Sequence, residues 1–222
     1  MPDFASSTES LQLQRGVGTS TNGAGAFGAS LNILTDAVSR EAYAQLSGSV
    51  GSFNTHKATA KFSTGLLRDH FELSGRLSRI ASDGYIDRAS SDLDSYFLQG
   101  AYLGENTLIK ALLFGGHEIT YQSWYGFDPD VLSAIGVDNS LETNRRFNIA
   151  GIQFDADGNF EGFYDNQVDN YKQDHFQLHW NEQWSGVFQT NLALHYTHGR
   201  GYFEEYVDQW YYTNILFAPD AQ

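Results

Sequence analysis

Phe71-Glu72-Leu73-Ser74-Gly75-Arg76-Leu77-Ser78-Arg79 is the stretch whose reading decides the fold. Phe71, Leu73, Gly75 and Leu77 fall on one side; Glu72, Ser74, Arg76 and Ser78 fall on the other. A period of two is that of an extended strand with an apolar and a polar face. The same period runs upstream. Ala44, Leu46, Gly48 and Val50 alternate with Gln45, Ser47 and Ser49, and Ala58, Ala60 and Phe62 alternate with Lys57, Thr59, Lys61 and Ser63. Downstream, residues 95–103 and 107–116 are predicted strands with muddier alternation, and residues 175–181 and 188–196 restore the pattern. Seven strands of a mostly-β chain are therefore expected. Nearer the N-terminus, residues 11–14 alternate briefly and residues 29–34 read as a short strand.

The links between these strands are unequal. One side has short turns at 67–70, 104–106 and 183–186; the other has a short turn at 51–55, then longer connections at about 81–94 and about 120–174. Tight turns on one rim and long loops on the other characterise transmembrane β-barrels. The polar side agrees. Lys57, Lys61, Glu72, Arg76, Gln177, His179, Gln189 and Asn191 cannot face a dry core unpaired, but they can face a wet lumen. Phe62, Phe71, Leu73, Leu77, Phe176, Leu178, Trp180, Leu192 and Leu194 would then face lipid. A soluble half-exposed sheet shows the same period, so the loops and the polar face separate the two readings. No run of about 18 apolar residues suggests a membrane helix, and alternating strands keep the mean hydropathy low, here −0.40.

Composition narrows the function. A formal net charge of −14 with no basic cluster argues against nucleic acid as a partner. Cysteine is absent, so no disulfide framework or thiolate metal site is expected. Gly23-Ala24-Gly25-Ala26-Phe27-Gly28 fits a dinucleotide-loop string, but a strand-like segment follows where that motif needs a helix. Asp155-Ala156-Asp157-Gly158 reads as a turn rather than a calcium loop, since the closing Glu is missing. His117-Glu118 and the set His195, His198, Glu204 and Glu205 read as polar lumen or rim residues. No nucleophile elbow or paired catalytic carboxylates stand out, so no enzyme, cofactor or metal centre is expected. Trp124-Tyr125, Arg145-Arg146 and Trp210-Tyr211 lie in or beside the long loops. Such residues suit the capture of a flat or anionic ligand, or equally an interfacial aromatic girdle.

Recognition enters at the N-terminus. Pro2-Asp3-Phe4-Ala5-Ser6-Ser7, then Leu11-Gln12-Leu13-Gln14-Arg15-Gly16-Val17-Gly18 through Gly23-Ala24-Gly25-Ala26-Phe27-Gly28-Ala29-Ser30-Leu31-Asn32, resembles the C-terminal end of the plug domain of TonB-dependent receptors. Ser82-Asp83-Gly84-Tyr85-Ile86-Asp87-Arg88, Gly116-His117-Glu118-Ile119-Thr120-Tyr121 and Asp169-Asn170-Tyr171-Lys172 resemble the first barrel segments of such receptors, particularly those of Bacteroidetes-type bacteria. The likeness covers essentially the whole chain.

The resemblance implies a partial transmembrane antiparallel β-barrel, about seven strands of a larger plugged one. Residues 1–36 would be the C-terminal part of the plug and residues 37–222 the N-terminal part of the barrel. It further implies an outer-membrane location, contact with outer-membrane lipid, and energy-coupled uptake of a scarce ligand, with a ferric siderophore as the first expected cargo. Coupling would come from the TonB complex through a plug N-terminus outside these residues. Arg15, with Gly16 and Gly18, is expected at the plug–barrel contact; Trp124, Tyr125, Arg145, Arg146, Trp210 and Tyr211 are expected ligand-binding loop residues. The first residues show no export signal, and seven strands fall short of the about 22 of such transporters. The chain is therefore expected to be a fragment, inactive alone. The rival reading is a soluble β-rich glycan-binding or adhesion module.

Overall fold

The computed structural model describes residues 3–16, 28–126, 129–137 and 140–209. Gly18, Trp210 and Tyr211 lie outside the described residues. A 3-10 turn (Phe4–Ser7) leads into β1 (Thr8–Arg15), which pairs antiparallel with β2 (Ala29–Thr35). Then follow β3 (Ala42–Val50), β4 (His56–Thr64), β5 (Phe71–Ser82), β6 (Ser91–Leu103) and β7 (Thr107–Tyr121). After them come α1 (Pro129–Ala134), α2 (Leu141–Arg146), the small hairpin β8 (Ile152–Phe154) and β9 (Phe160–Phe163), β10 (Val168–Gln183) and β11 (Gln189–Phe203). Strands β3 to β7, β10 and β11 form one seven-stranded antiparallel sheet, each hydrogen-bonded to the next. All seven expected strands are present.

The sheet is inverted relative to a soluble protein. One register row on its apolar face reads Phe62, Gly75, Leu98, Leu113, Phe176 and Tyr196. That face is bare: Leu46 is 85% exposed, Leu77 66% and Leu194 54%. The polar face of β4 to β6 is covered, with Arg76 2% exposed, Glu72 3% and Gln99 0%. Burying a guanidinium and a carboxylate while baring leucines reverses the free-energy ordering of water. It matches the ordering in lipid, where the apolar face is the solvated one.

Two tight turns hold both central residues in the left-handed region, Phe53 (φ 58) with Asn54 (φ 52), and Arg68 (φ 52) with Asp69 (φ 62). Two-residue hairpins need that geometry, and here it is imposed on non-glycine residues by the flanking ladders. The rims are lopsided as expected, but the long connections are shorter than predicted, covering 83–90 and 122–167. The reason is physical. Backbone pairing continues past the point where apolar alternation stops, so Asp92, Asp94, Asn170 and Lys172 are strand residues. The 122–167 segment is itself folded rather than a plain loop.

Candidate functional site

Two sites are built on this sheet. The first lies on the polar face, where the N-terminal segment docks. Asp3 sits in a left-handed conformation at φ 50, which turns its carboxylate onto β4 and β5. Its Oδ1 accepts from Lys57 Nζ at 2.6 Å and Ser6 Oγ at 2.9 Å. Its Oδ2 accepts from Arg76 Nη1 at 3.2 Å and also from Ser78 Oγ. Arg76 further donates through Nε to Ser7 Oγ at 2.6 Å and through Nη1 to Ser95 Oγ at 2.9 Å. Burial raises the Asp3 pKa, but the hydrogen bonds from Lys57, Ser78 and Ser6 outweigh it, so the carboxylate is held below its ordinary value.

Beside this network the Phe4 ring lies 5.0 Å from Phe114, which stacks on His175 at 4.9 Å. Phe97, Leu112 and Phe114 form a buried apolar patch on the otherwise polar face, with Phe4 packed against it. These rings explain why residues 95–103 and 107–116 alternate poorly: here the polar face carries a seat for an aromatic side chain. The other foot of the β1–β2 hairpin is moored as well. Asp36 pairs with Lys61 at 2.6 Å, and its carbonyl accepts from Lys110 Nζ at 3.1 Å.

The second site is a cap on the long-loop rim. Val131, Leu132, Phe147, Ile152 and Phe154 make its core. Ser140 caps α2 by accepting the Thr143 amide at 3.3 Å; Glu142 in the first turn and Arg145 and Arg146 in the last complement the helix dipole. Buried amides stitch the cap to its neighbours. Asn148 Nδ2 donates to Asp87 O at 3.1 Å and Gln122 O at 2.9 Å, and Gln167 Oε1 accepts the Tyr206 amide at 2.7 Å. Arg88 stands 3.4 Å over the Phe163 ring and donates to Asn148 O. The Asp155 carboxylate accepts the amides of Asp157 at 3.0 Å and Asn159 at 2.8 Å, so it closes the β8–β9 turn.

The sequence-expected residues fall as follows. Arg15 ends β1 opposite Ala29 and is exposed, and the Gly16 amide donates to Gly28 O at 2.7 Å. Trp124 stacks on Tyr125 at 5.8 Å on the cap surface, 63% and 43% exposed, and Tyr125 Oη donates to Glu205 Oε1 at 2.5 Å. Arg146 pairs with Asp87 at 3.1 Å, while Arg145 is exposed. His117 and His198 lie on the apolar face; Glu118 and His195 lie on the polar face. Among the described residues no group of three or more His, Cys, Asp or Glu could hold a metal ion. Asp3, Phe4, Asp36 and Arg88 were not singled out as site residues. Lys57 and Arg76 signalled that a partner was needed, but a carboxylate more than fifty residues away along the chain leaves no local pattern.

With the geometry in hand, comparison supplies the fold's relatives. No family model and no curated protein matches the chain. The ferric citrate transporter FecA in its unliganded form aligns over 90% of this chain, with TM-score 0.65 and 15% identity. The fold is a partial TonB-receptor barrel. The FpvAI–pyocin S2 complex aligns over 89%, with TM-score 0.54 and 14% identity. The chain spans 28% and 34% of those two proteins' lengths, and at these identities the likeness is one of fold.

Proposed function

We propose that this chain is part of a TonB-dependent outer-membrane transporter, with residues 1–36 the end of its plug and residues 37–222 the first part of its barrel. The observation that carries the reading is the inversion of the sheet: leucines bare on one face, and Arg76 and Glu72 covered by an N-terminal segment on the other. A soluble glycan-binding module would have to leave Leu46, Leu77 and Leu194 in water. Among the described residues β3 and β11 are the outer strands of the sheet; unpaired edges are prohibitive in lipid, so in this reading the barrel closes through strands outside these seven. The seven strands alone are not expected to transport.

In this reading the cap and the docked segment form a ligand-capturing mouth above a plugged lumen, and passage is gated by plug rearrangement driven by the TonB complex. A ferric siderophore is the expected cargo, with Trp124, Tyr125 and Arg145 available on the cap surface. The test expresses the complete reading frame and asks two things. Detergent-dependent extraction from the outer membrane is expected, and growth on ferric chelates as sole iron source should require both the gene and TonB. Recovery in the soluble fraction with cooperative unfolding in buffer would overturn the barrel reading. TonB-independent growth would overturn the transport reading.

A further inference from the structure

Two opposite charges on the barrel wall stand within reach of each other and stay apart. Strands β5, β6 and β7 lie inside the sheet, and on their polar face Glu72, Ala101 and Lys110 stand opposite one another in one row. With neighbouring strands ~4.8 Å apart, the Glu72 and Lys110 backbones are about 10 Å from each other, with only a methyl group between. An extended lysine and glutamate can close that gap, yet none of the ion pairs among the described residues joins them. Lys110 reaches the docked segment instead, where its Nζ donates to Asp36 O at 3.1 Å.

That arrangement leaves acceptors unfilled. Glu72 is 3% exposed and accepts from two neutral groups, Ser63 Oγ at 2.8 Å and Gln99 Nε2 at 3.2 Å. Gln99 is 0% exposed, sits diagonal to Lys110 across β6 and β7, and its Oε1 has no hydrogen bond. Covering a carboxylate on neutral donors alone is costly, and Glu72 attracts Lys110 more strongly than Glu9 or Asp36 does. What holds Lys110 away is the Asp36 carbonyl. Asp36 is in turn tied to the other foot of the hairpin, because its amide donates to Ser7 O at 3.2 Å. Lifting the segment therefore takes that carbonyl with it.

We infer that Lys110 is a two-position latch, held by Asp36 O while the segment is docked and by Glu72 and Gln99 Oε1 once it lifts. The inference rests on the plug-and-barrel reading and adds to it a switch inside the wall itself. Each position satisfies the lysine, so release strands no cation at this point of the wall, and the covered carboxylate gains the partner it lacks. Two arrangements of one side chain, each favoured in one state of its neighbour, are what a bistable element requires. Glu72 thus favours the lifted state even though its hydrogen bonds run to wall residues.

The test uses the protein from its complete reading frame in detergent micelles, with hydrogen exchange of residues 4–8 reporting how often the segment lifts. Glu72→Gln keeps an acceptor for Ser63 and offers its new amide to Gln99 Oε1 once the Gln99 amide turns over. The docked state stays satisfied while the lifted state loses its ion pair, so exchange should slow by roughly fivefold. With Lys110→Met already in place, adding Glu72→Gln should change the rate by less than about twofold. With Lys110→Arg the slowing should remain. Glu72→Met replaces Glu72→Gln in the same cycle if that variant does not fold. Faster or unchanged exchange in Glu72→Gln overturns the latch while leaving the docked segment in place. Equal slowing in the wild-type and Lys110→Met backgrounds overturns it too, since Glu72 would then merely repel the carboxylates of Asp3 and Asp36. Residues 4–8 that exchange freely in the wild-type protein overturn the docking, and the plug reading with it.

Discussion

The polar face over β4 to β6 and the polar face over β11 are written in the same alternating code, yet among the described residues one is sealed and the other open. Arg76 and Gln99 are 2% and 0% exposed, while Gln189, Asn191 and His195 are all exposed. Pattern decides which way a side chain points; cover decides whether water reaches it. Only the sealed half lies under Asp3, Phe4 and Asp36. A lumen face can therefore be polar for two reasons, because it is wet or because it is a socket, and the two halves respond differently to the same substitution.

The largest expected effect tests the socket directly. Asp3→Ala leaves the Arg76 guanidinium, 1% exposed in its side chain, without its carboxylate, and breaking such a buried pair costs about 3–5 kcal/mol. Hydrogen exchange should show residues 4–8 losing protection, whereas Gln189→Ala on the open half should stay within about 0.5 kcal/mol. Equal effects at the two positions would erase the distinction. Next comes Leu98→Arg in the middle of the apolar face, expected to destabilise the folded state in lipid by about 2–4 kcal/mol. Urea unfolding in vesicles reads it, and a soluble sheet would tolerate the change.

Phe4→Ala removes the ring from its seat against Phe114. Because Phe4 is only partly buried, a loss of about 1–2 kcal/mol is expected, read as faster proteolysis within residues 3–8. The smallest effect is a pH profile. The folded Asp3 carboxylate has a pKa below its ordinary 3.8, so its contribution to docking is complete above that value. It is lost as pH falls through the lower folded value. Docking should be flat from pH 7 to about 5 and weaken only in stronger acid, with Asp3→Asn removing that acid-side dependence.

The faces of the strands were legible because a sheet with one apolar and one polar face imposes a strict period of two. The docking seat was legible only as noise: Phe97, Leu112 and Phe114 spoil the alternation of β6 and β7, and nothing local says that Phe4 is the reason. The cap was read as loop. Its two helices have six residues each, too few for helical periodicity to emerge, and its stability comes from buried amides such as Asn148, Gln122 and Gln167 that reach across the chain. The strand ends were misplaced for a related reason, since ladder hydrogen bonding does not stop where the greasy side chains do. Arg15, the expected anchor, is exposed at the end of the β1–β2 ladder, and the moorings among the described residues are at the ladder's other end; the barrel partners expected for Arg15 lie outside these residues.

The stitching of the cap has a mechanical consequence. The 83–90 turn gives the Asp87 amide to Arg146 O at 2.7 Å, and the segment after β11 receives the Phe154 amide on Asp208 at 2.8 Å. Three stretches far apart along the chain are thus tied into one awning, so a force on any one of them is carried by the other two through these hydrogen bonds.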